Sequence, residues 1–336
     1  MHTVVLPDLA VPLAPLTTLR LGGPARRLVD AETADEVVEA LREPALVIGG
    51  GSNLVIADEG WPGTVVRIST RGRRVERRPD GSVLLTVEAG EEWDDVVAAT
   101  VADGLGGLEC LSGIPGRTGA VPVQNVGAYG VEIADALVDV DLLAGGVVRR
   151  VPAADLGLAY RTSVLKGRSD AVVLRVRIAL PGDARSAPIR YAELARALGV
   201  APGERVPAAV AREAVLALRR GKGMVLDPAD HDTWSAGSFF TNPVLATAPP
   251  GAPAWPVGDR FKVSAAWLIE HAGFRRGYPG PGGRVALSGR HVLALTHRGG
   301  GSTADLLALA AEVRDGVAAR FGVALTPEPV LVGCSL

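Results

Sequence analysis

The sequence predicts an α+β fold with more than one domain. A chain of 336 residues is too long for one small core, so two or three domains are expected. Short segments rich in valine and isoleucine are interspersed with segments of helical periodicity, without strict alternation. A doubly wound parallel sheet requires that alternation, so the mixed order favours an α+β arrangement.

Individual elements follow from local patterns. Apolar segments bounded by glycine, proline or aspartate predict strands at residues 46–48, 64–68, 83–87 and 171–178. Helices are predicted at residues 34–41, 93–103, 208–220, 265–271 and 303–321. The last has the clearest limits, because Ser302 and Asp305 form a capping signal and Gly322 ends it. Proline and glycine predict long loops at 248–258 and 277–283, and the arginines of residues 71–78 predict a solvated hairpin.

Composition excludes several classes of protein. Hydrophobic residues make up 48% of the chain and the net charge is −2, so the chain should fold and has no electrostatic preference for nucleic acid. No segment reaches the roughly 20 apolar residues needed to span a bilayer, and no basic residue precedes Arg20, which argues against membrane insertion and a secretory signal. We therefore expect a soluble cytoplasmic protein.

Cysteine and histidine usage predicts no metal site. Cys110 and Cys334 are too few for a disulfide framework or a zinc site, and we expect both to be reduced, with Cys110 a packed neutral thiol. His271, His291 and His297 have no ligand spacing and are interpreted as structural or surface residues.

A glycine-rich loop follows the predicted strand at 46–48. Gly49, Gly50 and Gly51 are consecutive and precede Ser52 and Asn53. Consecutive glycines allow backbone N–H groups to converge on an anion such as a diphosphate. The loop fits neither the G-x-G-x-x-G fingerprint nor the P-loop. A simple tight hairpin is the alternative interpretation.

Residues 112–130 form a second unusual segment. They contain five glycines, two prolines, a glutamine, an asparagine and a tyrosine, with almost no charge. Such a composition does not favour a regular helix or strand. Its uncharged amide and hydroxyl groups suit the orientation of a large heteroaromatic ring, whereas an inert irregular loop is the alternative.

Four segments in order, residues 18–23, 49–53, 112–116 and 124–130, resemble the FAD-binding elements of the UDP-N-acetylenolpyruvoylglucosamine reductase family. The resemblance extends over residues 16–333. It implies a flavoprotein with two α+β subdomains that hold FAD and a third, α/β domain that covers the substrate. The implied boundaries are 1–70, 71–225 joined by 323–336, and 226–322. No histidine lies between His2 and His231, so FAD should be bound non-covalently.

The resemblance also implies which residues contact the cofactor. The diphosphate would be held by Gly49, Gly50, Gly51, Ser52, Asn53 and Leu54. The flavin would be lined by Ser112, Gly113, Ile114, Pro115, Gly116, Gln124, Asn125, Gly127, Ala128, Tyr129 and Gly130.

In this family NADPH reduces FAD, and hydride then passes to the enolpyruvyl ether of UDP-N-acetylglucosamine. The enolate that develops beside the carboxylate needs a cation, and Arg161 falls at the family's catalytic arginine. Ser238 would donate the proton, and Glu328 would join Arg161 in stabilising the enol. Without the resemblance, these three would be interpreted as a surface arginine, a turn serine and a surface carboxylate.

Substrate contacts are implied for Tyr160, Tyr191, Lys222 and Asn242. Tyr191 resembles the tyrosine that closes over UDP in the subclass with an extra loop. The resulting prediction is an FAD-dependent, NADPH-oxidising reductase of peptidoglycan precursor synthesis. An FAD oxidase of another sugar or alcohol would not need Arg161, Ser238 and Glu328. A non-catalytic flavin or UDP-sugar binding protein would not need a proton donor at Ser238.

Overall fold

The computed structural model describes residues 10–336, which form two compact units. Unit 1 comprises residues 10–11, 26–50 and 62–221, and unit 2 comprises residues 12–25, 51–61 and 222–336. Both units contain helices and strands, so the predicted α+β class is confirmed. The three-part division of the chain stays a prediction.

The described residues form strands and helices with the following bounds. The strands are β1 Val11–Pro12, β2 Pro24–Ala31, β3 Ala45–Ile48, β4 Leu54–Ile56, β5 Trp61–Ile68, β6 Arg73–Arg77, β7 Val83–Glu88, β8 Gly127–Ala128, β9 Val131–Glu132, β10 Leu137–Ala144, β11 Val147–Pro152, β12 Ala171–Leu180, β13 Ser235–Ser238, β14 Val244–Leu245, β15 Ala254–Val257, β16 Arg260–Val263, β17 Val285–Leu287, β18 Ala294–His297 and β19 Val330–Val332. The helices are α1 Ala34–Ala40, α2 Trp93–Ala102, α3 Ala192–Leu198, α4 Ala208–Gly221, α5 Ala265–His271 and α6 Thr303–Phe321.

Unit 1 is organised around a five-stranded sheet in the order β11-β10-β12-β7-β6. On β7, Val83, Leu85 and Val87 alternate into the core and are fully buried, as the period of two in a strand requires. β6 pairs antiparallel with β7 and its arginines are exposed, which confirms the solvated hairpin. A second sheet, β1-β2-β5-β3, lies mostly in this unit.

In unit 2, α6 packs its apolar face against a three-stranded sheet in the order β13-β18-β17. Ser302 and Asp305 form the predicted capping box, and Gly322 ends the helix in the left-handed conformation. Leu19 and Val55 join the same core, which explains why the segments 12–25 and 51–61 belong to this unit.

One loop prediction is wrong in part. Residues 254–257 of the predicted 248–258 loop form β15, which pairs antiparallel with β16. Pro256 does not prevent this, because β15 lies at the edge of its sheet, where a missing backbone donor is tolerated. Among residues 10–336, no helix is both long and apolar enough to cross a membrane.

Candidate active site

Tyr160 and Arg161 are the central residues of a tight turn in unit 1. The N–H groups of Ala159 and Thr162 each donate to the other residue's carbonyl at 3.1 Å. Arg161 has a φ of 53°, in the left-handed region that is costly for a side chain other than glycine. Its Nη2 donates to the carbonyl of Gly127 at 2.8 Å. The predicted catalytic arginine is therefore held against the predicted flavin-lining segment.

Asn125 links this turn to the flavin-lining segment. Its side chain is buried, and its Nδ2 donates to Glu132 at 2.7 Å and to the carbonyl of Ala159 at 3.2 Å. Its Oδ1 accepts from the N–H of Ala134 at 3.1 Å. These bonds give the Asn125 carboxamide a structural role, which is to position the Arg161 turn. A direct contact of Asn125 with the cofactor stays a prediction.

The glycine loops are shaped by close backbone contacts. Within unit 1, a Cβ on Gly50 would lie 2.7 Å from the Cα of Gly116. Within unit 2, a Cβ on Gly51 would lie 2.0 Å from the carbonyl oxygen of Leu16. Packing of the chain against itself thus requires glycine at both positions. At Gly49 the nearest contact would be the Arg117 Cβ at an ordinary 3.5 Å, so packing does not explain that glycine.

Residues 112–116 are anchored at several points by the surrounding chain. The buried Ser112 hydroxyl donates to the carbonyl of Glu109 at 2.6 Å. The N–H of Gly113 donates to the carboxylate of Asp94 at 2.7 Å, and the carbonyl of Gly116 accepts from the N–H of Trp93 at 2.9 Å. The segment therefore has a defined backbone without belonging to a helix or strand.

Tyr129 and Gly130 form the two-residue turn between β8 and β9. Their φ values of 50° and 82° match the positive φ that such hairpin turns need at both positions. The Tyr129 ring meets the ring of Tyr191 edge-on, with centroids 5.4 Å apart. Burial raises the pKa of Tyr129 to about 12, so its hydroxyl is protonated at neutral pH. A predicted flavin-lining residue and a predicted substrate residue are thus in contact.

Arg219 on α4 was not selected from the sequence. Burial lowers the pKa of its guanidinium, electrostatic interactions with Tyr129 and Asp94 raise it, and the charge of Arg161 lowers it further. Arg161 and Arg219 both lie beside the flavin-lining segment, and two guanidinium groups there make a region suited to an anion. From sequence, an arginine in the last turn of a helix is interpreted as an ordinary helix-end cation.

Ser238 and Glu328 are brought together in unit 2 by backbone pairing. Ser238 is the last residue of β13, and the N–H of Glu328 donates to the carbonyl of the next residue, Phe239, at 2.8 Å. The N–H of Val330 donates to the carbonyl of Asn53 at 2.9 Å, as β19 and β4 begin their parallel pairing. The segments that carry the predicted catalytic residues Ser238 and Glu328 and the predicted diphosphate-binding residue Asn53 therefore lie side by side.

The remaining predicted substrate residues occupy different settings. The Oδ1 of Asn242 accepts from the N–H of Ala265 at 2.9 Å, at the first turn of α5, so this side chain stabilises the start of the helix. Lys222 is half-buried and follows the last residue of α4. Tyr160 and Tyr191 are 39% and 45% exposed, so both rings are accessible to a ligand.

Comparison with known proteins first defines the class. Residues 25–151 match the FAD binding domain, and residues 227–332 match the C-terminal domain of UDP-N-acetylenolpyruvoylglucosamine reductase. The chain is therefore an FAD-binding oxidoreductase. This confirms the predicted flavoprotein and the predicted enzyme class.

The relatives then define the particular family. UDP-N-acetylenolpyruvoylglucosamine reductase of Saccharopolyspora erythraea is 63% identical, with 96% of this chain and 95% of that protein covered. The protein of the same name from Salinispora arenicola is 54% identical, with 99% and 97% covered. The crystal structure of the Thermus caldophilus reductase (MurB) superposes with a TM-score of 0.69 at 26% identity, over 98% of this chain and 100% of that one. This chain belongs to the UDP-N-acetylenolpyruvoylglucosamine reductase family.

Proposed function

We propose that this chain reduces the enolpyruvyl ether of UDP-N-acetylglucosamine to UDP-N-acetylmuramate, with NADPH as hydride source and FAD bound non-covalently. The contact between Arg161 and the carbonyl of Gly127 carries the proposal, because it holds the arginine beside the predicted flavin-lining segment. The reaction belongs to peptidoglycan precursor synthesis. We place it in the cytoplasm, where nucleotide-linked sugars and NADPH are made.

The residues present fit FAD. Of the three consecutive glycines, Gly49 is the one at which packing would tolerate a side chain. It begins a loop whose backbone can approach a diphosphate. Residues 112–116 and 124–130 offer an anchored backbone with little charge, which suits a flavin ring. Bound FAD would supply hydride transfer between the nicotinamide and the alkene. The three-part division 1–70, 71–225 with 323–336, and 226–322 belongs to this proposal.

Arg161 and Arg219 would bind the carboxylate of the enolpyruvyl group. The guanidinium of arginine stays charged and offers a rigid pair of donors to a carboxylate. As negative charge develops on the enolate, fixed cations stabilise it without reorganisation. Tyr160, Tyr191, Lys222 and Asn242 would contact the nucleotide-sugar, and the exposed rings of the two tyrosines are available for it.

Ser238 would protonate the carbon that bears the ether oxygen. Serine is a weak acid, but a carbanionic carbon is a strong base and correct placement compensates. Glu328, whose backbone pairs with the residue after Ser238, would contribute to stabilising the enol. A charged carboxylate would repel an enolate, so Glu328 acts either in its protonated form or through Arg161.

The test is the visible absorbance of the purified protein under anaerobic conditions. NADPH should bleach the flavin, and the enolpyruvyl UDP-sugar should restore its colour without oxygen. Recovery that requires oxygen would instead identify an oxidase of another substrate. A protein without yellow colour that takes up no FAD would contradict the assignment of the glycine-rich loops.

A further inference from the structure

Glu109 is a fully buried carboxylate that the proposed chemistry does not use. It begins the short 3₁₀ turn Glu109–Leu111, directly before the flavin-lining segment. Its backbone carbonyl accepts from the N–H of Ser112 at 3.2 Å and from the Ser112 hydroxyl at 2.6 Å. Because burying a carboxylate is costly unless it is hydrogen-bonded, the partners of its side chain indicate what it stabilises.

The side chain of Glu109 reaches a segment far along the chain. Its Oε1 accepts from the N–H of Ala187 at 2.6 Å, across 78 residues, and its Oε2 accepts from the N–H of Gly107 at 2.6 Å. Burial raises the pKa of Glu109, and its own backbone N–H, these two N–H groups and the charge of Arg205 oppose that rise. One residue thus binds the start of the flavin-lining segment through its backbone and residue 187 through its carboxylate.

The segment that Glu109 holds leads directly to Tyr191. Beyond Ala187, the N–H of Ile189 donates to the carbonyl of Glu204 at 2.8 Å. A Cβ on Gly130 would lie 3.3 Å from the Cβ of Arg190, so residue 190 packs closely on the β8–β9 turn. Tyr191 then meets the Tyr129 ring edge-on. Ala187 and Tyr191 therefore lie four residues apart in one short segment, with the buried Ile189 as the anchor between them.

Packing holds this segment unevenly, because Ser186 and Ile189 are fully buried whereas Pro188 and Arg190 are exposed. An open cavity of about 480 Å³ is lined by Gly107, Ala187, Pro188 and Arg190, among others. A segment that borders open volume lacks the close contacts that fix a residue in a core. Between these two buried residues, the position of Ala187 depends on hydrogen bonds, among which the one from its N–H to the carboxyl group of Glu109 is short, at 2.6 Å.

We propose that Glu109 is a positioning residue that fixes Tyr191 relative to the flavin-lining segment and thereby sets the affinity for the UDP-linked substrate. The inference rests on the proposed function, in which Tyr191 contacts that substrate. Glu109 acts through Ala187 and Ser112 and does not take part in hydride transfer. Reduction of the flavin by NADPH should therefore be independent of it.

The first test is Glu109→Gln in the FAD-loaded protein. The amide has nearly the same shape but offers one acceptor oxygen, so one of the two backbone N–H groups faces an NH₂ group. The Kd for the enolpyruvyl UDP-sugar, measured by the change in flavin absorbance, should rise about tenfold, the scale of one buried hydrogen bond. The rate of flavin bleaching by NADPH should stay within about twofold, since no catalytic contact is lost.

Asp141→Asn is the matched control, because this carboxylate binds Arg175 and Arg177 within the five-stranded sheet. Both its substrate affinity and its bleaching rate should remain within about twofold of wild type, as expected for a change remote from the site. An equal loss of affinity in Asp141→Asn and Glu109→Gln would overturn the proposal, because general destabilisation would then explain both.

A double-mutant cycle separates positioning from a general structural effect. In a Tyr191→Ala background, Glu109→Gln should weaken substrate binding by less than about twofold, because the residue through which it acts is gone. A tenfold effect in both backgrounds would overturn the proposal.

Amide hydrogen exchange tests the positioning step without substrate. Glu109→Gln should speed exchange over residues 183–191 and leave β10 and β12 unchanged. Unchanged exchange over 183–191 would overturn the proposal even if affinity fell. Failure of the wild-type holoenzyme to bind the UDP-sugar would overturn the proposed function, whereas the exchange result would still decide whether Glu109 holds the segment.

Discussion

The turn that carries Arg161 is attached to the flavin-lining segment by side-chain hydrogen bonds, whereas the residues around Ser238 and Glu328 are joined by backbone bonds between two extended segments. In unit 1, Asn125 and Arg161 each use side-chain atoms to bind the backbone of the other's segment. In unit 2, the N–H of Glu328 binds the carbonyl of Phe239. A backbone bond survives a change of side chain and a side-chain bond does not, so mutations should have different consequences in the two regions.

The two regions also differ in backbone conformation, because non-glycine residues with positive φ occur around Arg161 and a glycine makes the bend before Ser238. Asn125, Tyr129 and Arg161 all have positive φ, at 46°, 50° and 53°. Each such residue costs roughly 1–2 kcal/mol relative to an ordinary conformation, which the surrounding bonds must offset. In unit 2, the bend before Ser238 is made at Gly237, where a φ of 75° has no such cost. The residues around the Arg161 turn therefore carry more backbone strain than the residues around Ser238.

The largest expected effect is that of Ser238→Ala. Flavin reoxidation by the enolpyruvyl UDP-sugar should slow by on the order of 10²–10⁴-fold, as for loss of a general acid. The melting temperature and the rate of flavin reduction by NADPH should be unchanged, because backbone pairing places this residue. Anaerobic stopped-flow absorbance measures both half-reactions. Equal losses in the two half-reactions would argue against Ser238 as proton donor.

Arg161→Lys should follow in magnitude. Lysine keeps the charge but not the planar pair of donors, so reoxidation should slow by on the order of 10²–10³-fold. Unlike Ser238→Ala, this change should also lower stability by about 1 kcal/mol, because the bond to the Gly127 carbonyl is lost. The same stopped-flow assay and a urea titration check the two parts. Unaltered reoxidation would remove Arg161 from the catalytic set.

Asn125→Ala tests whether loss of side-chain hydrogen bonds destabilises the region around Arg161 more than the comparable loss destabilises unit 2. It removes bonds to Glu132, Ala134 and Ala159 and places alanine at a positive φ, so the free energy of unfolding should fall by about 2–4 kcal/mol. Asn242→Ala in unit 2 is the control, since it removes the bond to Ala265 and should cost about 1 kcal/mol. Equal costs in urea denaturation would show that the two regions do not differ as described.

The smallest expected effect is a pH dependence in unit 2. Burial lowers the pKa of His297 from its ordinary value of 6.5, and the charge of His231 adds to this, although a backbone bond to Leu19 opposes it. A histidine with a lowered pKa in the folded state contributes stability above pH 6.5, and this is lost as the pH falls toward the lower folded value. His297→Asn should therefore flatten the slope of unfolding free energy against pH just below 6.5. An unchanged slope would assign the dependence to other groups.

Several features of the fold could be read directly from local sequence. The limits of α6 follow from the capping box at Ser302 and the glycine at residue 322, both of which act within one helical turn. β7 and β12 follow from their valines and isoleucines. By contrast, β15 was missed because Pro256 and the neighbouring loop residues outweighed the apolar pattern. Whether a strand lies at the edge of a sheet cannot be inferred from the sequence of that strand alone.

The residues of the candidate site likewise fall into a group that the sequence identified and a group that it did not. The resemblance of the glycine-rich loops and of the Arg161, Ser238 and Glu328 segments identified a family that the relatives confirm. Arg219 and Glu109 were not selected, since an arginine in a helix and a glutamate beside a cysteine have no distinctive pattern. Their settings are created by residues far along the chain, such as Ala187 for Glu109 and Tyr129 for Arg219.

The sequence by itself determined the α+β class, the main helices and strands, and the residue types suited to flavin chemistry, because periodicity, capping and motif chemistry act over a few residues. Tertiary structure decided why Gly50 and Gly51 must be glycine, which side chain holds the Arg161 turn, and which carboxylate is buried beneath the Tyr191 segment. These are contacts between distant segments, and the burial that makes them strong exists only after the chain has folded.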